Sequence, residues 1–283
     1  MTPLAENRYG KLRVRLARVK RTARQHEFRE WTIQILLQGD FESCFTEGDN
    51  SKILPTDTMK NTVYSLARTS SAECMEDFAK ELIDFLLSRN PQVSHAEVSV
   101  SEKAWEHLQA RDKTPHPTTF VQSSGERQTA TVARAQDGPF SAVSGLENLV
   151  LMKTADSAFE GYIKDSLTTL PESADRLLGT AVEANWTYVG ADLAFDAVRR
   201  KIRAILLDEF ACHASKSVQH TLYAMGEAVL KAIPQVDDIE IVMPNRHYLP
   251  ADLSKFGQDN PNEIFVPTDE PHGTIEARLR RHR

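Results

Sequence analysis

Apolar and polar residues alternate with a period of two in several short stretches of the chain. The alternation is clearest in LRVRLARV, WTIQILLQG, VSHAEVSV and DDIEIVMP. Because successive side chains of a strand point to opposite faces, each stretch predicts a half-buried β-strand. In the first stretch, the expected faces are Leu12, Val14 and Leu16 on one side and the basic residues Lys11, Arg13 and Arg15 on the other.

Between these strands, apolar residues recur every three or four positions, which is the spacing of one face of an amphipathic helix. Such stripes run from Phe78 to Leu86, from Phe195 to Phe210 and from Val218 to Val229. Each stripe is interpreted as a helix face that packs on the core.

The order of the predicted elements repeats along the chain. The first half predicts strands near 11–20 and 31–40, helices near 57–69 and 73–89, and strands near 94–103 and 127–135. The second half predicts strands near 143–154 and 182–189, helices near 192–212 and 216–233, and strands near 237–243 and 262–267. Together with the echo of NPQVSHAEVSV in IPQVDDIEIVM, this order predicts a duplicated ββααββ unit, with domains at 1–138 and 139–283.

Strands in pairs, with helices in pairs between them, predict an α+β fold in which helices cover one face of an antiparallel sheet. The turn-rich segment 104–126 is expected to loop out of it. An open sheet of this kind leaves edges and a bare face, which are hazards for a monomer. Because closing the sheets into barrels by oligomerisation would remove both, we expect a homo-oligomer.

Composition and charge narrow the classes of function. The 283 residues carry a net charge of -6, which argues against a dedicated nucleic-acid binder. No apolar run approaches the roughly 20 residues that span a bilayer. The first residues lack the apolar core of a signal peptide and the last three are not a peroxisomal tripeptide, so a cytoplasmic protein is expected. The three cysteines predict no disulfide framework, and no HExxH or paired CxxC motif predicts a metal site.

The stretch PTDTMKNT, residues 55–62, predicts a helix start. Thr56, Asp57 and Thr58 each carry a short side-chain oxygen that can accept a bond from an orphan backbone N–H, and Thr56 or Asp57 is expected to begin the helix. A helix start with a hydroxyl and free N–H donors also suits an anion. Lys60 and Asn61 are expected to have only a structural role.

Five longer motifs resemble the urate oxidase (uricase) family, in the family's order, from about residue 7 to residue 278. They are NRYGK, GDNSKILPTDTMKNTVY, SGLENLVLMKTADSAFEGYIKDSLTTLPESADR, MPNRHYL and FGQDNPNEIF. The resemblance implies two tandem tunnelling-fold (T-fold) units per chain and a homotetramer with active sites at subunit interfaces. It also implies cofactor-free oxidation of urate by dioxygen and water to 5-hydroxyisourate and hydrogen peroxide. Leu167 replaces an aromatic residue that the family usually has, which concerns local packing rather than the chemistry.

The resemblance assigns most of the substrate-binding residues. Phe159 would stack on the flat purine, since a ring face holds such a ligand with little loss of rotamer entropy. Arg176 would donate two bonds to an adjacent oxygen and nitrogen of anionic urate, which its planar fork fits. The backbone N–H of Val218 and the amide of Gln219 would hold the opposite edge. Asp57 would contribute mainly its backbone N–H, with its carboxylate in local capping bonds.

The resemblance assigns the chemistry to Lys11, Thr56 and His247, which would form a proton relay, with the hydroxyl of Thr56 also touching urate. An imidazole suits proton transfer because it changes charge near neutral pH. Asn245 would hold dioxygen and then water above the purine. If PNRHY is extended, Asn245 and His247 point to the same face because they are two residues apart.

Two other functions stay open at this point. One is another T-fold enzyme that acts on a purine or a pterin, a class that generally relies on a metal or a catalytic cysteine. The other is a purine-binding oligomer without catalysis, which would be expected to have lost Lys11, Thr56, Asn245 or His247.

Overall fold

The computed structural model describes residue 2 and residues 4–190 and 193–281, with the exception of the side chains at positions 123, 124 and 269. Its contacts divide the chain into two compact units. The first unit is Met1–Gly145 with Gly190–Asp196, and the second is Leu146–Val189 with Ala197–Arg283.

The first unit is an antiparallel sheet packed against helices. Its strands follow one another in the order β1 (Tyr9–Arg21), β2 (His26–Gly39), β3 (Val93–Gln109) and β4 (Pro115–Ala135). Between β2 and β3 in sequence lie α1 (Glu42–Thr46), α2 (Thr56–Thr69) and α3 (Met75–Arg89). The Trp31 ring of β2 packs 5.3 Å from the Phe78 ring of α3, both without solvent exposure. The period-two face of a strand and the helical stripe therefore meet in one core.

The second unit has the same two layers. Its strands follow in the order β5 (Ser141–Lys153), which begins shortly before the unit boundary, β6 (Leu178–Tyr188), β7 (Val236–Pro250) and β8 (Phe265–Arg280). Between β6 and β7 in sequence lie α4 (Phe195–Cys212) and α5 (Val218–Ala232), and a 3-10 turn at Ser254–Phe256 precedes β8. The core joins Trp186 and Ile241 of the sheet with Leu222 and Met225 of α5. The predicted α+β fold class with antiparallel strands is confirmed.

Two element boundaries differ in their standing from the predicted ones. Position 192, where the sequence predicts the first helix of the second half to begin, lies outside the described residues. The last strand is longer than the predicted 262–267, because β8 continues to Arg280 beside β7 despite its prolines. Its pairing shifts register between Asn245 and His247 of β7, which accommodates the irregular stretch. None of the described helices is long and apolar enough to cross a membrane.

The prediction that residues 104–126 loop out is wrong, because β3 and β4 form one long hairpin through this segment. On the hairpin, His107 lies opposite Phe120, and their ring centroids are 4.4 Å apart. The ring of Trp105 packs edge-on against Phe28 of β2, at 5.3 Å. Aromatic cross-strand pairs of this kind stabilise a sheet, and they outweigh the turn residues that the sequence displays.

The predicted faces of β1 hold for Val14 but are wrong for Lys11 and Leu12, because a β-bulge interrupts the strand. Lys11 lies opposite Ile35 and Val14 lies opposite Ile33, so three residue steps on β1 match two on β2. Arg13 takes up the extra residue with a left-handed φ of 58°. Directly paired residues share a face, so Lys11 projects to the helix-covered side with Val14 rather than to the side of Arg13. Leu12, expected on the buried face, is 53% exposed.

Candidate active site

The start of α2 is held from outside the helix rather than by its own cap. The helix begins at Thr56 with Pro55 at the N-cap position, and among the residues that the structure describes no side-chain capping bond is made there. The Tyr9 hydroxyl accepts a bond from the Leu54 N–H at 2.8 Å and donates to the Leu54 carbonyl at 3.2 Å. Burial raises the pKa of Tyr9 further above neutral pH, where a phenol is already protonated and able to donate. The prediction that Thr56 or Asp57 begins the helix is confirmed at Thr56, but the expectation that a Thr or Asp side chain caps it is wrong.

Tyr9 is itself fixed at the first position of β1. Its ring packs edge-on against Phe41, with centroids 4.8 Å apart. Next to it, Gly10 allows β1 to approach β2, because a side-chain carbon there would lie 1.8 Å from the Ile35 carbonyl oxygen. Three successive residues therefore have different tasks. Tyr9 holds the backbone before α2, Gly10 allows β1 to approach β2, and Lys11 supplies a positive charge.

The carboxylate of Asp57 bonds within its own helix, but not as a cap. It accepts from the Lys60 ammonium and from the Asn61 amide, one turn further on. Lys60 is the main cause of the lowered pKa of Asp57, and the charge of Lys11 adds to it. Within the described residues these bonds are local, but they go to side chains and not to the backbone N–H groups of the first turn.

Lys11, Thr56 and Asp57 therefore lie together at one end of the first unit. The bulge turns Lys11 to the side of the sheet on which α2 packs, and its charge acts on Asp57. Thr56 is half-buried, whereas Asp57 is exposed. The result is a helix start with a hydroxyl, a nearby ammonium and uncapped first-turn donors, which is suited to an anion.

A cavity of about 380 Å³ lies within the second unit. Its lining includes Phe159, Arg176, Asn245, His247, Tyr248 and Phe265. The first four are residues predicted from the sequence. Phe159 and Arg176 lie in the connection between β5 and β6, and Asn245 and His247 lie in the C-terminal half of β7. A cavity of this size, with ring faces and a few convergent polar groups, is suited to a small planar ligand.

Arg176 and Phe159 are in direct contact at this cavity. The guanidinium carbon lies 4.9 Å from the Phe159 ring centroid, and the Tyr162 ring stacks on Phe159 at 4.8 Å with an interplanar angle of 15°. Burial lowers the pKa of Arg176, and its Nε is buried without a hydrogen-bond partner among the described residues. A desolvated cation with an unused donor favours an anion that can fill its fork.

The segment that carries Phe159 is the middle one of three hydrogen-bonded segments. On one side, Phe159 and Ser173 exchange backbone bonds at 2.8 and 3.1 Å, and the Arg176 N–H donates to the Ser157 carbonyl at 2.7 Å. On the other side, the Ser215 N–H donates to the Asp156 carbonyl at 2.9 Å. The same backbone ladder therefore fixes the two residues Phe159 and Arg176 to each other.

The Ser215 side of this ladder leads directly into α5. Ser217 is the N-cap of α5, and its hydroxyl accepts from the His220 N–H at 3.1 Å. Val218 is 3% exposed, whereas the Gln219 side chain is exposed. In the described part of the chain, the lining of the cavity does not include these two residues. Their connection to Phe159 runs through Ser215.

Tyr9, Tyr162 and Ser215 were not predicted from the sequence. Tyr9 and Tyr162 stand inside quoted motifs, NRYGK and SAFEGYIKD, where an aromatic two or three residues from a candidate could have been noticed. Ser215 gave no signal, because its backbone partners Asp156 and Ala158 are distant in sequence.

Comparisons with known proteins agree with each other. The Uricase family model matches residues 7–133 and 142–276. The Uricase of Arthrobacter globiformis is 38% identical over 278 residues, covering 98% of this chain and 90% of that protein, and the Uricase of Dictyostelium discoideum is 35% identical over 283 residues, covering 99% and 98%. The crystal structure of the Arthrobacter globiformis uricase superposes with a TM-score of 0.93 at 37% identity, covering 99% of this chain and 96% of that one.

Proposed function

The chain belongs to the uricase family, and from this premise we propose that it oxidises urate with dioxygen and water to 5-hydroxyisourate and hydrogen peroxide. The reaction balances as a two-electron oxidation: urate gains one hydroxyl at C5 from water, and dioxygen is reduced to peroxide. The observation that carries the proposal is the cavity of the second unit, where Phe159, Arg176, Asn245 and His247 line one space.

The first role is binding of the planar anion. Phe159, backed by Tyr162 at 4.8 Å, offers a rigid ring face for the purine. Arg176 donates through its fork to an oxygen and a deprotonated nitrogen of urate, and its partial burial strengthens that interaction. At the opposite edge, the Val218 N–H and the Gln219 amide complete the clamp.

The second role is movement of protons and placement of oxygen. Asn245 holds dioxygen and later water above the purine plane. His247 accepts and returns protons, and Thr56 and Lys11 continue the relay. Thr56 also donates its hydroxyl to urate, and Asp57 its backbone N–H. The gain is orientation plus donors already in place where charge develops.

The two groups of residues come from different subunits in this proposal. Lys11, Thr56 and Asp57 of one chain complete the cavity of another chain, in a homotetramer whose sheets close into barrels. Each chain supplies two T-fold units, 1–138 and 139–283. The exposed apolar side chains of Ile163 (94%) and Leu167 (85%), beside the Phe159 segment, support a second chain as their cover. Cytoplasmic localisation stays a prediction from the sequence.

Urate is an easily oxidised anion, so we propose that the reaction needs no added cofactor. The test is turnover in a strong chelator after gel filtration, with loss of urate absorbance and release of peroxide followed together. We expect full activity, with one molecule of peroxide released for each urate consumed. Activity that returns only with a metal ion would overturn the cofactor-free mechanism, and urate binding without turnover would indicate a non-catalytic oligomer.

Arg176→Gln is the matched test of the binding role, with Arg176→Lys as its partner. Lysine keeps the charge but loses the planar fork, so both variants should raise KM for urate, with glutamine the more severe. A lysine variant equal to the parent would show that only charge matters at this position.

A further inference from the structure

The carbonyl of the peptide group between Ser217 and Val218, at the start of α5, accepts one hydrogen bond more than the helix requires. The Ser217 carbonyl accepts the Thr221 N–H at 3.1 Å, the ordinary first bond of the helix. It also accepts the Ser215 hydroxyl at 3.0 Å. The Ser215 hydroxyl in turn accepts from the Thr221 hydroxyl at 2.7 Å. The two hydroxyls therefore form a short relay, Thr221 to Ser215 to the Ser217 carbonyl.

The relay is buried. Thr221 is 1% exposed and Ser215 is 4% exposed. A buried hydroxyl costs free energy unless it is hydrogen-bonded, and a bond between buried partners has a well-defined geometry. Stability alone would be served by apolar side chains of the same shape. The use of two hydroxyls that end on one carbonyl is therefore a specific arrangement.

The other end of the same peptide group is the Val218 N–H. A peptide unit is planar and trans, so its C=O and N–H point in opposite directions. Fixing the Ser217 carbonyl therefore fixes the direction of the Val218 N–H. Bonds accepted by a carbonyl also polarise its peptide group, which makes the N–H a stronger donor.

The Val218 N–H is not used by the helix itself. As a first-turn donor it has no partner within α5. The N-cap hydroxyl of Ser217 is directed to the His220 N–H instead. The capping bond is therefore made to the third residue of the helix, His220, and the N–H of the first residue, Val218, stays available.

Ser215 also connects the relay to the aromatic side of the cavity. Its backbone brackets the segment before Phe159, since its N–H donates to the Asp156 carbonyl at 2.9 Å and its carbonyl accepts the Ala158 N–H at 2.8 Å. The residue that aims the Val218 peptide is thus bonded to the segment that carries the stacking ring.

We propose that Ser215 and Thr221 are positioning residues, whose hydroxyl relay aims the Val218 N–H at the anionic edge of urate and strengthens it as a donor. The inference rests on the proposed function, because it concerns the same substrate site. Neither side chain touches urate. Their effect is on the affinity for the anionic edge of urate. Because this edge is the same in the substrate and in the transition state, both should be bound less tightly without the relay.

The test compares Thr221→Val, which keeps the shape and removes the hydroxyl, with Thr221→Ser, which keeps the hydroxyl. Urate binding is measured by calorimetry on the full-length chain without dioxygen, so that no turnover occurs, and KM and kcat are measured in air. We expect Thr221→Val to weaken urate binding about tenfold, equivalent to about 1.4 kcal/mol. KM should rise in parallel and kcat should change little, the signature of lost uniform binding. Thr221→Ser should match the parent.

Ser215→Ala is the second variant, and it removes the bond to the Ser217 carbonyl directly while leaving the backbone ladder. It should weaken urate binding at least as much as Thr221→Val. It also carries the test if Thr221→Val does not fold. Thermal unfolding of each variant separates the two possible roles, because a purely structural relay would lower the midpoint and leave the urate affinity unchanged.

Failure of the proposed function and failure of the hydroxyl relay give different results. A parent chain that neither binds nor oxidises urate contradicts the proposed function. A parent that oxidises urate, together with folded Thr221→Val and Ser215→Ala variants of parental affinity, overturns the relay and leaves the function standing.

Discussion

The N-terminal ends of α2 and α5 are held in place in different ways. α5 begins with a side-chain cap, since Ser217 accepts from the His220 N–H. α2 begins without one, after Pro55. Both helices nevertheless have an anchor outside themselves: the Tyr9 hydroxyl holds the Leu54 backbone before α2, and the Ser215 hydroxyl holds the Ser217 carbonyl before α5.

A cap and a binding site therefore need not compete for the same backbone donors. A capping hydroxyl satisfies one first-turn N–H and leaves the others, and an uncapped start leaves more of them. In both cases the positive end of the helix stays available to an anion. What the anchor adds is a fixed direction for these donors, which matters more for a ligand than for the helix.

The largest expected effect separates a substrate contact from a cap. Thr56→Val removes the hydroxyl at the uncapped start, and we expect kcat/KM for urate to fall about 100-fold, the low end of the range for a lost proton-transfer group. The unfolding midpoint should change little, since no capping bond is lost. Steady-state kinetics and calorimetry on the same sample measure both.

The matched control is Ser217→Ala at the capped start. It should lower the free energy of unfolding by about 1 kcal/mol, the usual value of an N-cap, and change kcat/KM only a few-fold. Equal losses of activity and stability in the two variants would remove the distinction between the helix starts.

A smaller effect is expected from the anchor of α2. Tyr9→Phe keeps the ring against Phe41 but removes both bonds to Leu54. Because Thr56 follows two residues later, we expect kcat/KM to fall about tenfold through loss of orientation. The loss of stability should be about 1 kcal/mol for the bonds. A variant with reduced stability and parental kinetics would show that Tyr9 supports the fold alone.

The smallest expected effect is a pH dependence of stability, which comes from the carboxylate in the first turn of α2. The pKa of Asp57 is lowered below its ordinary 3.8, chiefly by Lys60. A depressed carboxyl pKa stabilises the fold above the unfolded-state value, and this contribution disappears as pH falls through the folded-state value. The difference in unfolding midpoint between the parent and Asp57→Asn should therefore be constant above about pH 5 and shrink below pH 4.

The Ser217→Ala variant serves as the reference for this measurement. The first turn of α5 has no acidic residue, so its difference from the parent should not depend on pH over the same range. A shrinking difference in both variants would mean that the pH effect does not come from Asp57.

The sequence predicted the regular parts of the fold well and the irregular parts poorly. The period-two pattern of WTIQILLQG and the stripe from Phe78 to Leu86 gave the core, because buried faces impose a strict periodicity. The faces predicted for Lys11 and Leu12 on β1 were wrong because the bulge at Arg13 leaves no trace in the alternation, and it is this bulge that turns Lys11 toward α2. The hairpin through 104–126 was missed because aromatic pairing across strands is a long-range property.

The candidate site shows the same division. Motifs identified Phe159, Arg176, Asn245 and His247, and these residues line one cavity. Their assigned roles stay predictions, as do those of Lys11, Thr56, Val218 and Gln219. No local pattern could reveal the backbone bonds of Ser215 to Asp156 and Ala158, because those bonds depend on segments that fold together from distant parts of the chain.

The most direct measurement of the central claim is a structure of the assembled protein with urate bound in the absence of dioxygen. We expect the purine to lie on Phe159, with Arg176 and the Val218 N–H of the same chain at its two edges and the Thr56 hydroxyl of a second chain within hydrogen-bond distance. Urate bound away from Phe159, or held with no Thr56 hydroxyl in reach, would contradict the claim that two anchored helix starts close on one substrate.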